Sequence, residues 1–118
     1  RPALIDFYAP WCGPCKAALA KSKKLFERMA PYNMVFLYLA NRSSDESWKN
    51  VIKEYNVVGE NIVHYNLPSE QQAAVENYMR VASYPTYRLI SPDGTLLDVN
   101  ADPRDIDIFE KMIKDMKK

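Results

Sequence analysis

Two cysteines stand two residues apart in the stretch DFYAPWCGPCK, residues 6–16, and they are the only two in 118 residues. What lies on either side fixes where such a pair must sit. Pro2 to Tyr8 is a short apolar run rich in strand formers, the length of a buried strand. From Pro14 the period turns helical. Cys15, Ala18, Leu19, Leu25, Phe26 and Met29 share a face, while Lys16, Lys23, Lys24 and Arg28 look outward. Pro14 suits the first helical turn, where its missing N–H is not needed, and Pro31 marks the end. The pattern therefore predicts one helix between these prolines, with Cys12 at the strand-to-helix turn and Cys15 on the apolar face.

That placement bears on chemistry. Unpaired N–H groups and the positive end of a helix dipole point at the first sulfur and favour a thiolate there. Cys15, one turn on, is close enough to attack a mixed disulfide formed at Cys12, so the spacing supplies nucleophile and resolving thiol together. Cys12, predicted at an exposed turn, is the better nucleophile. A structural bridge is poorly motivated, because so short a loop constrains the unfolded chain little. A zinc site would need a second pair or two histidines, and the chain offers only His64 and carboxylates. A redox-inert remnant is the remaining alternative.

The later chain alternates in the same way. Met34 to Leu39 reads as a second buried strand. Ser43 and Glu46 have capping-box spacing ahead of a stripe of Trp48, Val51, Ile52 and Tyr55. The run NIVHYNL could form a short strand. Ser69 and Gln72 repeat the capping spacing and open a helix to about Met79. Thr86–Ile90 and Thr95–Val99 are strand-like, with SPDG between them as a hairpin turn. Asp102 and Pro103 predict the start of a last helix with Ile106, Phe109, Met112, Ile113 and Met116 inward, closed by Lys117 and Lys118. This order predicts an α/β fold: a central mixed sheet, parallel at first and finished by an antiparallel hairpin, flanked by helices in a single domain over residues 1–118. The formal charge of +1 gives no case for nucleic acid as partner, and no apolar run approaches the roughly 20 residues that span a bilayer. The chain opens strand-like within three residues, so we expect it to be part of a longer protein or precursor, with any targeting segment upstream.

FYAPWCGPCK resembles the active-site segment of the thioredoxin superfamily, and ASYPTYRLISPDG is similar to that superfamily's second landmark, a cis-proline ahead of a strand and hairpin. The resemblance runs from the first strand to the last helix. The stretch from about Trp48 to Arg80, between the second strand and the hairpin, is longer than a minimal thioredoxin needs. It looks like the extra element of the TlpA/ResA-like thiol–disulfide oxidoreductases of the bacterial envelope.

The resemblance implies roles by position. Cys12 matches the attacking thiol, Cys15 the resolving thiol, and Gly13 and Pro14 the dipeptide that accompanies a reducing potential. Trp11 matches the flanking aromatic, Pro85 the cis-proline, and Tyr84 the residue whose backbone pairs with an extended substrate. Asp6 matches a buried carboxylate that relays a proton to or from Cys15, and its pKa should be raised. The implied function is dithiol–disulfide exchange with protein substrates, most simply as a reductant recharged by an electron-donor protein. No cofactor or metal is implied. A periplasmic setting, a tether through an upstream region and a monomeric state are expected with it. A binding module using the Pro85 face, or isomerase or oxidase work, stands as the alternative. Related sequences often carry a proline a few residues beyond the second cysteine; KAALAKSKK has none, so a straighter helix is expected.

Overall fold

The computed structural model describes residues 1–41 and 43–116. Strand β1 (Ala3–Tyr8) leads into helices α1 (Gly13–Leu19) and α2 (Ser22–Met29), then β2 (Val35–Ala40), α3 (Asp45–Glu54) and β3 (Ile62–Tyr65). Helix α4 (Ser69–Tyr78), strand β4 (Thr86–Ile90) and helix α5 (Ile106–Met116) complete it. The sheet runs β3-β2-β1-β4, with β1 parallel to β2, β2 parallel to β3, and β4 antiparallel to β1. The mixed α/β architecture is the one the periodicity predicts, and NIVHYNL supplies β3 as an edge strand.

Alternation along β1 sorts its side chains between two layers. Leu4 and Tyr8 join Cys15, Leu19, Met29, Phe36, Tyr38, Leu89, Phe109 and Ile113 in the larger core. Ile5 and Phe7 point the other way, with Leu39, into a smaller core closed by Val75 of α4 and Met79 just past its end. Period two therefore sends Asp6 to the larger core, the side that holds Cys15. Phe109 anchors that layer. Phe109→Ala should cost about 3–5 kcal/mol in a denaturant melt, whereas Ile108→Ala, one residue away and exposed, should stay within about 0.5.

Four expectations need correction. The first helix is not continuous: it breaks at Ala20–Lys21 without a proline, where the Lys21 N–H reaches back only three residues to the Ala18 carbonyl at 3.1 Å. The helix is bent rather than straight, with Ser22 buried just past the break. Residues 95–99 do not form a strand. Ladder pairing with β4 stops at one bridge, Ile90 with Leu96; Leu97 still packs on the larger core and donates to the Leu89 carbonyl at 2.9 Å, but Leu96 and Val99 are exposed. The turn itself forms: Gly94, at φ +90°, donates to the Ser91 carbonyl at 2.9 Å. The caps shift as well. Ser44, not Ser43, caps α3 by accepting from the Ser47 N–H at 3.1 Å, because the Ser43 hydroxyl is spent on the Asn41 carbonyl. Ser69 lies inside α4, which starts after Pro68 with no side-chain cap, and Gln72 is buried against Glu76 instead. Last, Asp102 forms a turn with the Arg104 N–H at 3.0 Å, and α5 begins only at Ile106. Lys117 and Lys118 lie outside the described residues.

Candidate active site

The chain leaves β1 at Tyr8, and the Cys12 N–H closes a turn onto the Ala9 carbonyl at 3.0 Å. Cys12 is then the N-cap of α1, in extended conformation (φ −92°, ψ 117°), with Pro14 in the first turn. Its sulfur accepts from the Cys15 N–H at 3.3 Å, so one otherwise orphaned helix donor is directed at it. The Cys15 sulfur lies 2.6 Å from that of Cys12. Both are buried, Cys15 at 1% exposure and Cys12 at 8%. The open position expected for Cys12 is thus corrected, because the cis-proline loop leans on it. What is open is the surface around it. Trp11 is 60% exposed, and a side chain at Gly13 would meet no atom within 4 Å.

The loop before β4 brings the distant half of the site. The Tyr84–Pro85 peptide bond is cis, and the Tyr84 carbonyl oxygen lies 3.6 Å from the Cys12 sulfur. The Tyr84 ring meets Trp11 edge to face, with centroids 6.0 Å apart. Trp11, Cys12, Gly13, Tyr84 and Pro85 therefore border one patch of surface.

Beneath the pair lies Asp6, 7% exposed, with Oδ1 making no hydrogen bond among the described residues. Desolvation pushes its pKa up to about 8; the nearby Arg104 guanidinium pulls down against that, and Asp102 pushes up. Cys15 is raised to about 12, first by desolvation, then by its bond to Cys12, with Asp6 adding a smaller push. At neutral pH the neutral carboxyl and the neutral thiol prevail. Strand register surrounds Asp6 with rings: Tyr38 stands opposite on β2 and Tyr87 opposite on β4. Burial raises the phenols of Tyr8, Tyr38 and Tyr87, which stay neutral. Arg104 sits over the Tyr87 ring at 5.7 Å and is ion-paired with Asp102 at 2.7 Å. Asp6 and Arg104 both line a crevice of about 610 Å³ at the helix break. Tyr38 and Tyr87 lie in strand-forming runs, but their register with Asp6 appears only in the paired sheet, and Arg104 comes from a loop with no local signal.

His64 is elsewhere, on the edge strand β3. Its Nε2–H donates to the Val57 carbonyl at 2.6 Å, its ring stacks on Tyr38, and desolvation lowers its pKa. Among the described residues, no three His, Cys, Asp or Glu side chains gather as a metal site.

Residues 1–96 match the family model described as thioredoxin-like. The chain is 30% identical over 115 residues to a thioredoxin of Borreliella burgdorferi, covering 98% of this chain and 73% of that protein. It is 20% identical over 116 residues to the thiol-disulfide oxidoreductase ResA of Oceanobacillus iheyensis, with 98% and 57% covered. Against a protein disulfide-isomerase of Triticum aestivum it is 26% identical over 107 residues, which is 80% of this chain but only 21%, about a fifth, of that relative. Among solved structures, a thiol:disulfide interchange protein from a Bacteroides species superposes with a TM-score of 0.78 at 19% identity, over 97% of this chain and 74% of the other. The chain belongs to the thioredoxin-like family.

Proposed function

We propose that this chain reduces disulfides in protein substrates by dithiol–disulfide exchange through Cys12 and Cys15. The observation that carries this reading is the placement of the Cys12 sulfur: at the head of α1, 2.6 Å from its partner sulfur and 3.6 Å from the Tyr84 carbonyl. An extended substrate that pairs with the Tyr84 backbone would present its disulfide to Cys12. The Cys12 thiolate attacks one substrate sulfur, a mixed disulfide forms, and the other substrate sulfur leaves as a thiolate. Cys15 then gives up its proton and attacks the Cys12 sulfur. The Cys12–Cys15 disulfide forms, and the second substrate sulfur leaves. Two electrons have moved to the substrate; its two sulfurs leave as thiolates, which take up protons from solvent, and the enzyme has released the one proton of Cys15. Asp6, with a pKa of about 8, can take the Cys15 proton in its ionised form, whose share grows as pH rises towards 8.

The cycle needs a dithiol donor protein to restore the pair, and no cofactor or metal. The proposed setting is the periplasmic side of a bacterial envelope, with a tether through an upstream region, as the TlpA/ResA-like resemblance of the sequence implies. No helix among the described residues is long and apolar enough to cross a membrane. We read the chain as one domain acting as a monomer. The test is reduction of insulin disulfides with dithiothreitol as donor. Catalytic amounts of the chain should accelerate it, and a rate equal to dithiothreitol alone would leave only a binding module at the Pro85 face.

A further inference from the structure

Helix α4 reaches the site through the carboxylate of Glu76. Glu76 Oε1 accepts from the Tyr84 hydroxyl at 2.5 Å, and Oε2 accepts from Asn41 Nδ2 and Gln72 Nε2, each at 2.7 Å. All three partners are donors, which suits a group that only accepts. The three come from separate segments. Asn41 follows β2, and its N–H is fixed to the Tyr8 carbonyl at the end of β1 at 2.9 Å. Gln72 is buried in α4 itself, and Tyr84 belongs to the cis-proline loop.

The backbone of that loop has other anchors. Arg88 donates to the Met79 and Arg80 carbonyls at 3.0 and 3.2 Å, and the Thr86 hydroxyl donates to the Ser83 carbonyl at 2.5 Å. The Glu76 bond therefore acts on the Tyr84 side chain rather than on the course of the loop. That side chain meets the exposed Trp11 edge to face, next to Cys12.

We propose that Glu76 is a positioning residue for substrate recognition: from α4 it holds the Tyr84 ring, and with it the Trp11–Tyr84 aromatic wall, in the place where a polypeptide lies along the site. The inference rests on the exchange reading above and adds that this hold gives preference for polypeptide disulfides over small ones. A small disulfide reaches the Cys12 sulfur without lying along the wall. A polypeptide has to pack against it, and a ring free to change rotamer adds an ordering cost to each binding event.

The experiment compares two substrates, insulin and dithiobis-nitrobenzoate, and reads the ratio of kcat/KM on the first to the rate constant on the second. In Glu76→Ala and in Tyr84→Phe that ratio should fall about tenfold, the effect of one hydrogen bond to a charged group, and the fall should appear in KM rather than kcat. The double variant should fall no further than either single one, because both remove the same bond. Glu76→Gln should recover the ratio, since the Tyr84 hydroxyl can accept from the amide. A ratio that stays at the wild-type value in both single variants, or that falls additively in the double, overturns the inference while leaving the exchange reading intact. A wild type inert on both substrates overturns the exchange reading and this inference with it.

Discussion

Cys12→Ser is expected to lower disulfide reduction at least ~10³-fold, whereas Cys15→Ala should accumulate covalent complexes with substrate proteins. The two outcomes differ because the sulfurs act in sequence. Cys12 makes the first bond; it borders the open surface and faces the Tyr84 carbonyl. Cys15 is the more deeply buried, and its thiol, raised to about 12, is protonated until the mixed disulfide exists. Without Cys15 the mixed disulfide has no internal attacker and persists until an external thiol cleaves it. Non-reducing electrophoresis after mixing with an oxidised protein substrate reads this directly: complexes with Cys15→Ala, none with Cys12→Ser. Equal trapping by both variants would mean that the sulfurs are not ordered as the geometry places them.

The second large effect belongs to Asp6. Its folded-state pKa of about 8 lies above the ordinary value of 3.8, so the folded chain holds this proton more tightly than the unfolded one. Stability from this group is therefore full below about pH 4 and is lost as pH rises towards 8, with a slope of at most ~1.4 kcal/mol per pH unit. Asp6→Asn removes that dependence. In denaturant titrations of the reduced protein, wild type should weaken relative to Asp6→Asn across this window, by up to about 4 kcal/mol at pH 7. Function should move the other way. The resolving step should rise in wild type with a midpoint near pH 8, and in Asp6→Asn it should slow about 10²-fold and lose that midpoint. Parallel stability curves for the two proteins would mean that Asp6 is not held neutral by burial.

Why some of this could be read in advance is a matter of range. Strands β1, β2 and β4 are dense apolar runs, and α3 and α5 carry clear stripes, so local period alone locates them. Asp6 stood out because a carboxylate interrupts one such run. What failed depended on neighbours far along the chain. The first helix breaks with no proline to announce it. The second hairpin arm has strand-forming residues, but Leu96 and Val99 lie exposed while Leu97 packs on the larger core, so propensity is overridden by packing. Ser43 and Gln72 have the right spacing for caps, but their side chains are engaged by Asn41 and Glu76. Cys12 looked exposed because nothing local covers it; the covering loop lies about seventy residues on, and its cis-proline was legible only through resemblance. Arg104 beside Asp6 and Glu76 beneath Tyr84 are side-chain meetings across loops and helices, for which no periodicity exists.

The central claim is that Cys12 and Cys15 form a reversible two-electron couple of a reductant. Equilibration against graded glutathione buffers, followed by acid quench, thiol alkylation and mass measurement, tests it directly. The account predicts a single two-electron transition between dithiol and intramolecular disulfide, at a potential nearer to about −270 mV than to about −120 mV, as the Gly13–Pro14 dipeptide implies. It predicts no transition in Cys12→Ser. A wild-type pair that stays fully reduced or fully oxidised in every buffer from about −350 to −100 mV would contradict it.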